Sequence, residues 1–412
     1  MKRSSILFTL LMLIALIATA CAPAATPAAP AAPAPTQPPV EVTRIVAGTP
    51  AVMVVTTTPD MSKPTPMAPG SVQITGAGAT FPDPVYTEWR FAYPYVDPSV
   101  VINYQAIGSG GGKKAIVDGT VDFAGSDSLL TTEYTATTKG QLQMFPTLAG
   151  AIVPVFNIQG YTGTLVLDGP TLVGIYSGKI TNWNDPAITK LNPDANLPNA
   201  QITAVHRSDG SGTTEAFTKY LAAVSDDWKS SVGAGQSVQW PVDKAGNGIG
   251  GKGNAGVAAA VQNTPNSLGY VELSYATANK IAFAKMVNAA GKTVTANADS
   301  LASAMADFGD KFSDKLTIDR ISNGPGDKTW PISTYTYQII YMDEKSDPQL
   351  GCAKIEKYLD WVHWFLTDPA AAKRATDLGY AVLPDAVRAK VFDTLSKVTC
   401  DGKPVNSAMT MK

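Results

Sequence analysis

The chain has 412 residues, with 32 Lys plus Arg against 34 Asp plus Glu and a formal net charge of −2. That balance excludes the basic excess expected of a nucleic-acid binder, and 16% charged residues is low for a globular protein. Thirty prolines are unevenly placed: twelve fall within 22–70, and the other eighteen are spread over 71–412 at an ordinary rate. The folded part is therefore expected in 71–412, long enough for two sizeable cores.

The N-terminus reads as an address. Lys2 and Arg3 precede an uncharged apolar run over 6–18, the pattern of a secretory signal peptide occupying 1–20. The run is shorter than the roughly 20 residues a membrane-spanning helix needs. It ends in Ala18-Thr19-Ala20-Cys21, which resembles a bacterial lipoprotein cleavage site and would leave Cys21 as a lipidated N-terminus. Ala18 departs from that pattern, which prefers a larger aliphatic residue, and ordinary cleavage is the alternative. Residues 21–70 then form a lipid-anchored tether, because Pro/Ala/Thr repeats bury too little apolar surface to offset chain entropy. Within it, 51–58 has strand propensity and could pair with a sheet edge. Two cysteines remain, Cys352 and Cys400. An even pair outside the cytoplasm suggests a disulfide, with two separate buried thiols as the alternative. The only histidines are His206 and His363, so no metal site is expected.

In the folded part, strands and helices alternate. Short β-type runs are read at 72–75, 101–105 and 121–125, with a helix opening at 112. A longer apolar strand is read at 148–158, and Asp168-Gly169-Pro170 starts another helix. A strand at 202–206 leads to a helix over 213–224, in which Phe217, Tyr220, Leu221 and Val224 keep helical spacing. A helix at 256–262 and a strand at 267–271 follow. The last third is helix-rich, with an apolar stripe from Ile355 to Leu366. His363 lies off that stripe, which favours a packing or surface role. Repeated strand–loop–helix units predict an α/β fold with helices covering a sheet.

Three loops between strand and helix share one chemistry: 76–82 (Gly-Ala-Gly-Ala-Thr-Phe-Pro), 107–112 (Ile-Gly-Ser-Gly-Gly-Gly) and 207–213 (Arg-Ser-Asp-Gly-Ser-Gly-Thr). Each joins glycine, which lets backbone amides approach a ligand, to a hydroxyl side chain at a helix start. Free N–H groups there carry partial positive charge. Three such loops converging on a cleft would form a shell of neutral donors around an oxyanion. Ordinary helix capping is the plainer reading of any single loop. The second loop is not a nucleotide P-loop, since Ile107 and Lys114 stand where Gly and Ser/Thr are required. The third is not a nucleophile elbow, since Asp209 replaces its first glycine. Arg207 can give two parallel N–H bonds to an oxyanion, with Asp209 orienting it. Asp127, an acceptor only when ionised, fits beside an anion only if that anion carries a proton; a cap or surface turn is the alternative.

At these residues the sequence resembles the phosphate-binding protein of the bacterial ABC-type phosphate importer. The resemblance runs from about Val72 to the C-terminus and rests on 76–82, 103–109 (Asn-Tyr-Gln-Ala-Ile-Gly-Ser), 121–127 (Val-Asp-Phe-Ala-Gly-Ser-Asp), 209–213 and 250–254 (Gly-Gly-Lys-Gly-Asn) in that order. It implies a two-domain "Venus flytrap" of the periplasmic-binding-protein type, each domain a sheet flanked by helices, with the ligand in the interdomain cleft. Domain I would comprise 71–148 and 333–412 and domain II 149–332, with crossings near Thr147 and Pro331. The phosphate ligands carried over by motif are Thr80, Phe81, Ser109, Asp127, Arg207, Ser211, Gly212 and Thr213. Phe81 and Gly212 would act through backbone N–H. Gly110 stands where relatives often have a second Ser, and 243–249 looks like a local insertion.

The function this implies is extracytoplasmic capture of inorganic phosphate and its delivery to an ABC permease. The protein would be lipid-anchored at the outer face of the plasma membrane, monomeric, without cofactor and without enzymatic activity. Asp127 would set selectivity: at neutral pH phosphate keeps a proton for it and sulfate keeps none. A secreted phosphohydrolase and a binding protein or sensor for another oxyanion are the competing readings.

Overall fold

The computed structural model describes residues 71–309, 311–343, 345 and 351–409. The signal peptide, Cys21, the tether and the 51–58 segment lie outside them.

The folded chain begins with strand–loop–helix units. β1 (Val72–Gly78) leads to α1 (Asp83–Ala92), β2 (Val100–Ala106) to α2 (Ser109–Val117), and β3 (Phe123–Ser126) to the short α3 (Thr132–Thr135). The long β4 (Leu142–Asn157) follows, then β5 (Val166–Leu167), α4 (Gly169–Tyr176) and α5 (Pro186–Thr189). β6 (Thr203–Arg207) feeds α6 (Gly212–Val224), α7 (Asp226–Ser231) and α8 (Pro241–Lys244). β7 (Gly248–Gly251) feeds α9 (Gly253–Asn263), and β8 (Ser267–Glu272) runs straight into α10 (Leu273–Ala278). After β9 (Lys285–Val287), β10 (Thr293–Val294) and α11 (Ala298–Ala306), the chain returns through β11 (Ser333–Tyr341). It closes with α12 (Cys352–Thr367), α13 (Pro369–Asp377), β12 (Ala381–Val382), α14 (Asp385–Leu395), β13 (Thr399–Cys400) and β14 (Lys403–Pro404).

Eight strands form one mixed sheet in the order β2-β1-β3-β11-β4-β8-β6-β7, and β12 adds to β4 as a ninth. At one end β1, β2 and β3 are parallel; at the other, β8, β6 and β7 are parallel. The centre is antiparallel. β4 serves both ends: up to Ala151 it pairs with β11, and from Ile152 it pairs with β8. Loops that leave the carboxyl ends of the two parallel groups are where an open α/β sheet presents ligand-binding groups.

Each group of strands is covered by its own aromatic packing. Trp89 of α1 stacks on Phe365 of α12 with ring centroids 4.5 Å apart, and its indole N–H donates to the Ala371 carbonyl at 2.9 Å, tying the start of the fold to its end. Around β6 and β8, Phe217 stacks on Tyr270 at 4.2 Å, and Tyr176 and Trp240 pack on the same ring. Cys352 and Cys400 are joined in a disulfide with Cα atoms 5.5 Å apart, linking the start of α12 to β13. His363 stacks on Phe392 of α14 at 5.3 Å, and burial lowers its pKa.

Three elements differ from the sequence expectation. β4 starts at 142 rather than 148 because Pro146, which has no N–H, sits where the ladder with β11 shifts register between Thr336 and Tyr337. A bulge is where a strand tolerates proline. α9 starts at Gly253, three residues early, on a residue with φ +70°. β11 was not expected as a strand.

Candidate anion-binding site

Five loops at the carboxyl ends of parallel strands carry the polar groups of interest. Thr80 and Phe81 follow β1, Ser109 follows β2, Asp127 follows β3, Arg207 ends β6, and β7 leads to Gly253 and Asn254. Thr80, Phe81, Ser109, Asp127, Arg207, Ser211, Gly212 and Thr213 are all buried.

Hydrogen bonds join these residues into one cluster. Ser109 Oγ accepts the Asp127 N–H at 3.1 Å and the Gly212 N–H at 3.2 Å, and donates to Asp127 Oδ2 at 3.3 Å. The approach is close: a Cβ on Gly212 would lie 2.5 Å from Asp127 Cβ and 2.7 Å from Ser109 Oγ. Asn254 Nδ2 donates to Thr80 Oγ1 at 2.9 Å and to Thr213 Oγ1 at 3.2 Å, and the Asn254 N–H donates to Thr80 Oγ1 at 3.1 Å. Tyr275 donates to the Thr80 carbonyl at 2.6 Å. Ser211 caps α6, its Oγ accepting the Thr214 N–H at 3.0 Å. Its hydroxyl proton and the N–H groups of Gly212 and Thr213 belong to a helix start, where anions are favoured. A 220 Å³ cavity bordered by Thr80, Asp83, Asp209, Lys252 and Tyr275 lies beside the cluster.

Arg207 supplies the positive charge. Its side chain is 1% exposed, and Nε and Nη2 donate to Asp209 Oδ1 and Oδ2 at 2.7 and 2.6 Å. That bidentate pair uses one edge of the guanidinium. Nη1, on the other edge, bonds to none of the described residues. Burial pushes the Asp209 carboxyl up, but the Arg207 bonds and charge and the Gly253 N–H at 2.9 Å outweigh it, so its pKa is lowered. Asp127 goes the other way. Burial pushes it up to about 7, against the opposing effects of the Thr336 hydroxyl, the Arg207 charge and Ser109. Thr336 Oγ1 donates to Asp127 Oδ1 at 2.8 Å. The site thus holds an ionised acid that fixes the arginine and a second acid poised to share a proton.

A family profile described as a PBP superfamily domain matches residues 63–368. The chain is 42% identical over 319 residues to "Phosphate-binding protein PstS" of Pasteurella multocida, covering 77% of this chain and 88% of the relative. The chain belongs to the PstS family. The namesake of Xylella fastidiosa is also 42% identical, over 76% of this chain and 82% of its own length. Among solved structures, the "Phosphate-Binding Protein from Stenotrophomonas maltophilia" matches with a TM-score of 0.58 at 22% identity, over 82% of this chain and 99% of that one. A "high affinity periplasmic phosphate-binding protein (PfluDING) bound with phosphate" matches with a TM-score of 0.61 at 21% identity, over 82% and 97%. Those likenesses carry the fold, which is of the α/β, two-domain PstS type.

Within this PstS-type cluster the sequence reading missed four partners: Asn254, Tyr275, Thr336 and Gln236, whose amide bonds Ser128 beside Asp127. Asn254 closes one of the quoted motifs, so position alone could have flagged it. The other three carry no local signal. His206 is buried against Trp240, with Nε2 2.8 Å from Asp243 Oδ1.

Proposed function

We propose that this protein captures inorganic phosphate outside the cytoplasm and delivers it to an ABC-type permease, and that Thr80, Phe81, Ser109, Asp127, Arg207, Ser211, Gly212 and Thr213 hold the anion. The observation that carries this reading is the buried Arg207 guanidinium, one edge fixed by Asp209 and the other uncommitted, amid hydroxyls and helix N-termini. Asp209 already matches the Arg207 charge and fixes its orientation, so the second edge offers preset N–H donors to an anion. Asp127 supports phosphate over other oxyanions, because a carboxylate accepts the ligand's own proton and is left unpaired against a fully deprotonated anion.

A binding role is favoured over phosphoester hydrolysis by the state of Ser109. Two backbone N–H groups already occupy its oxygen lone pairs, which leaves it a poor nucleophile. Calorimetric titration tests the reading. Phosphate is expected to bind and sulfate to bind at least about 10⁴-fold more weakly, the ratio typical of a site built around a ligand hydroxyl. Comparable affinities, or sustained turnover of a chromogenic phosphate ester, would overturn it.

The membrane link follows from the leader. A lipid on Cys21 and a Pro-rich tether over 21–70 would hold a monomeric, cofactor-free binding domain near the permease. The two halves of the sheet, 71–148 with 333–412 and 149–332, would close around phosphate by bending where β4 changes partner.

A further inference from the structure

Glu272 lies at the end of β8, opposite Ile152 where β4 changes partner, and its side chain is fully buried. Its Oε2 accepts the Ser274 N–H at 2.9 Å, contacts Ser274 Oγ, and lies 2.8 Å from the Tyr380 hydroxyl. The same Tyr380 hydroxyl lies 2.7 Å from the carbonyl oxygen of Phe81. The proton count favours a neutral carboxyl. Tyr380 has one proton, and the Phe81 carbonyl and an ionised Glu272 could both only accept it, so the two contacts would have to share it. A proton on Glu272 gives each contact its own donor: Tyr380 donates to Phe81 and Glu272 donates to Tyr380. Oε1 is buried with no donor among the described residues, a state far less costly for a neutral carboxyl than for a carboxylate.

The surroundings agree. The charged and titratable groups that act on Glu272 or its neighbours are Tyr380 from the segment before β12, Asp127 from the loop after β3, and Tyr275 from α10, which also interacts electrostatically with Asp83 and Arg207. Burial foremost, with Asp127 adding to it, pushes its carboxyl up to about 8, against the opposing effect of its contacts with Ser274 and Tyr380. The Glu272 N–H also donates to Asn254 Oδ1 at 3.0 Å, the residue that clamps Thr80.

We propose that Glu272 is a positioning residue that carries a proton and, through Tyr380, holds the Phe81 peptide in the anion site, so that closing on phosphate and protonation of Glu272 are coupled. The inference rests on the phosphate-binding reading. The sign follows from linkage: the closed form holds the proton more tightly than the open form, so affinity falls as pH rises toward the value at which the closed form ionises, by up to tenfold per pH unit. Phosphate titrates equally in wild type and in a variant that changes only Glu272; Asp127, which is coupled to Glu272, is controlled by the same comparison in an Asp127→Asn background.

The test compares wild type with Glu272→Gln and Glu272→Ala, titrated with inorganic phosphate from pH 6.5 to 9. Gln donates permanently, so E272Q is expected to stay within about threefold of wild type at pH 7, whereas E272A loses at least about tenfold. The wild-type to E272Q affinity ratio is expected to fall at least about fivefold across the range. A ratio constant within twofold, or an E272Q as weak as E272A while both melt like wild type, overturns the inference. Wild-type-minus-E272Q infrared difference spectra give a readout that needs no phosphate: a protonated-carboxyl C=O band at pH 7 that belongs to Glu272, distinct from the Asp127 carboxyl that both proteins keep. If wild type shows that band but binds no phosphate, the binding reading fails rather than the proton assignment; if the band is missing, the assignment itself fails.

Discussion

Asp127 is where stability and recognition pull apart. Its folded-state pKa of about 7 lies above the ordinary carboxyl value, so the unfolded chain releases this proton first as pH rises. The penalty on the empty fold therefore builds between about pH 4 and 7 and stays constant above. Asp127→Asn removes it. The unliganded variant is expected to melt above wild type at pH 8, while its phosphate-over-sulfate ratio drops at least about tenfold, or 1.4 kcal/mol. Melting curves and anion titrations check the two halves separately; an unchanged ratio would take Asp127 out of the site. The residue types of this cluster were readable in the sequence because glycine–hydroxyl loops and an arginine at a strand end announce anion chemistry locally. Thr336 was not, because its link to Asp127 spans 209 positions. Tyr275 and Glu272 were hidden in a run, Tyr-Val-Glu-Leu-Ser-Tyr, that reads as a strand passing into a helix.

At the scale of elements, the cluster depends on how near the start of α6 comes to the loop after β3. Only a hydrogen fits at Gly212 against Asp127 and Ser109. Gly212→Ala is expected to melt below wild type, because the methyl group meets Asp127 and Ser109 at distances that force α6 to shift. Its phosphate affinity should fall at least about 100-fold, because the methyl group holds α6 away from β3. Retained affinity would mean that the two elements separate when the anion enters. Element boundaries were legible where one signal ruled. α6 has helical apolar spacing and a serine cap, and β8 has an apolar centre, Leu268 to Val271. β11 was hidden because it is rich in hydroxyl and amide side chains, Ser-Thr-Tyr-Thr-Tyr-Gln. It is buried all the same because most of its polar groups are paired: Thr147 donates to the Thr336 carbonyl, and Tyr358 donates to Gln338 Oε1, although Gln338 Nε2 finds no acceptor among the described residues. Hydropathy alone does not distinguish such a strand from a loop.

For the whole molecule, the address at the N-terminus matters as much as the site. Among the described residues no helix is long and apolar enough to cross a membrane; the proposed function assigns attachment to Cys21. Cys21→Ser is expected to shift the protein from the membrane fraction to the soluble fraction with phosphate affinity unchanged. If the variant stays with the membrane, the lipid anchor is refuted while the anion site is untouched. The family-level architecture was legible from motif order, whereas the path of the sheet was not.

That path has a consequence for how the chain is made. β11 arises near residue 333 yet lies between β3 and β4, which are finished by residue 157. Until it arrives, both neighbours keep an open edge, and α1 waits for α12 to cover Trp89. Pairings this distant in sequence form late and slowly. The half built on β1–β3 is therefore unfinished in a growing chain until β11 and α12 arrive, whereas the strands β8, β6 and β7 are all in place before residue 333. Under the proposed function, a first half that cannot close early suits a polypeptide exported before it folds.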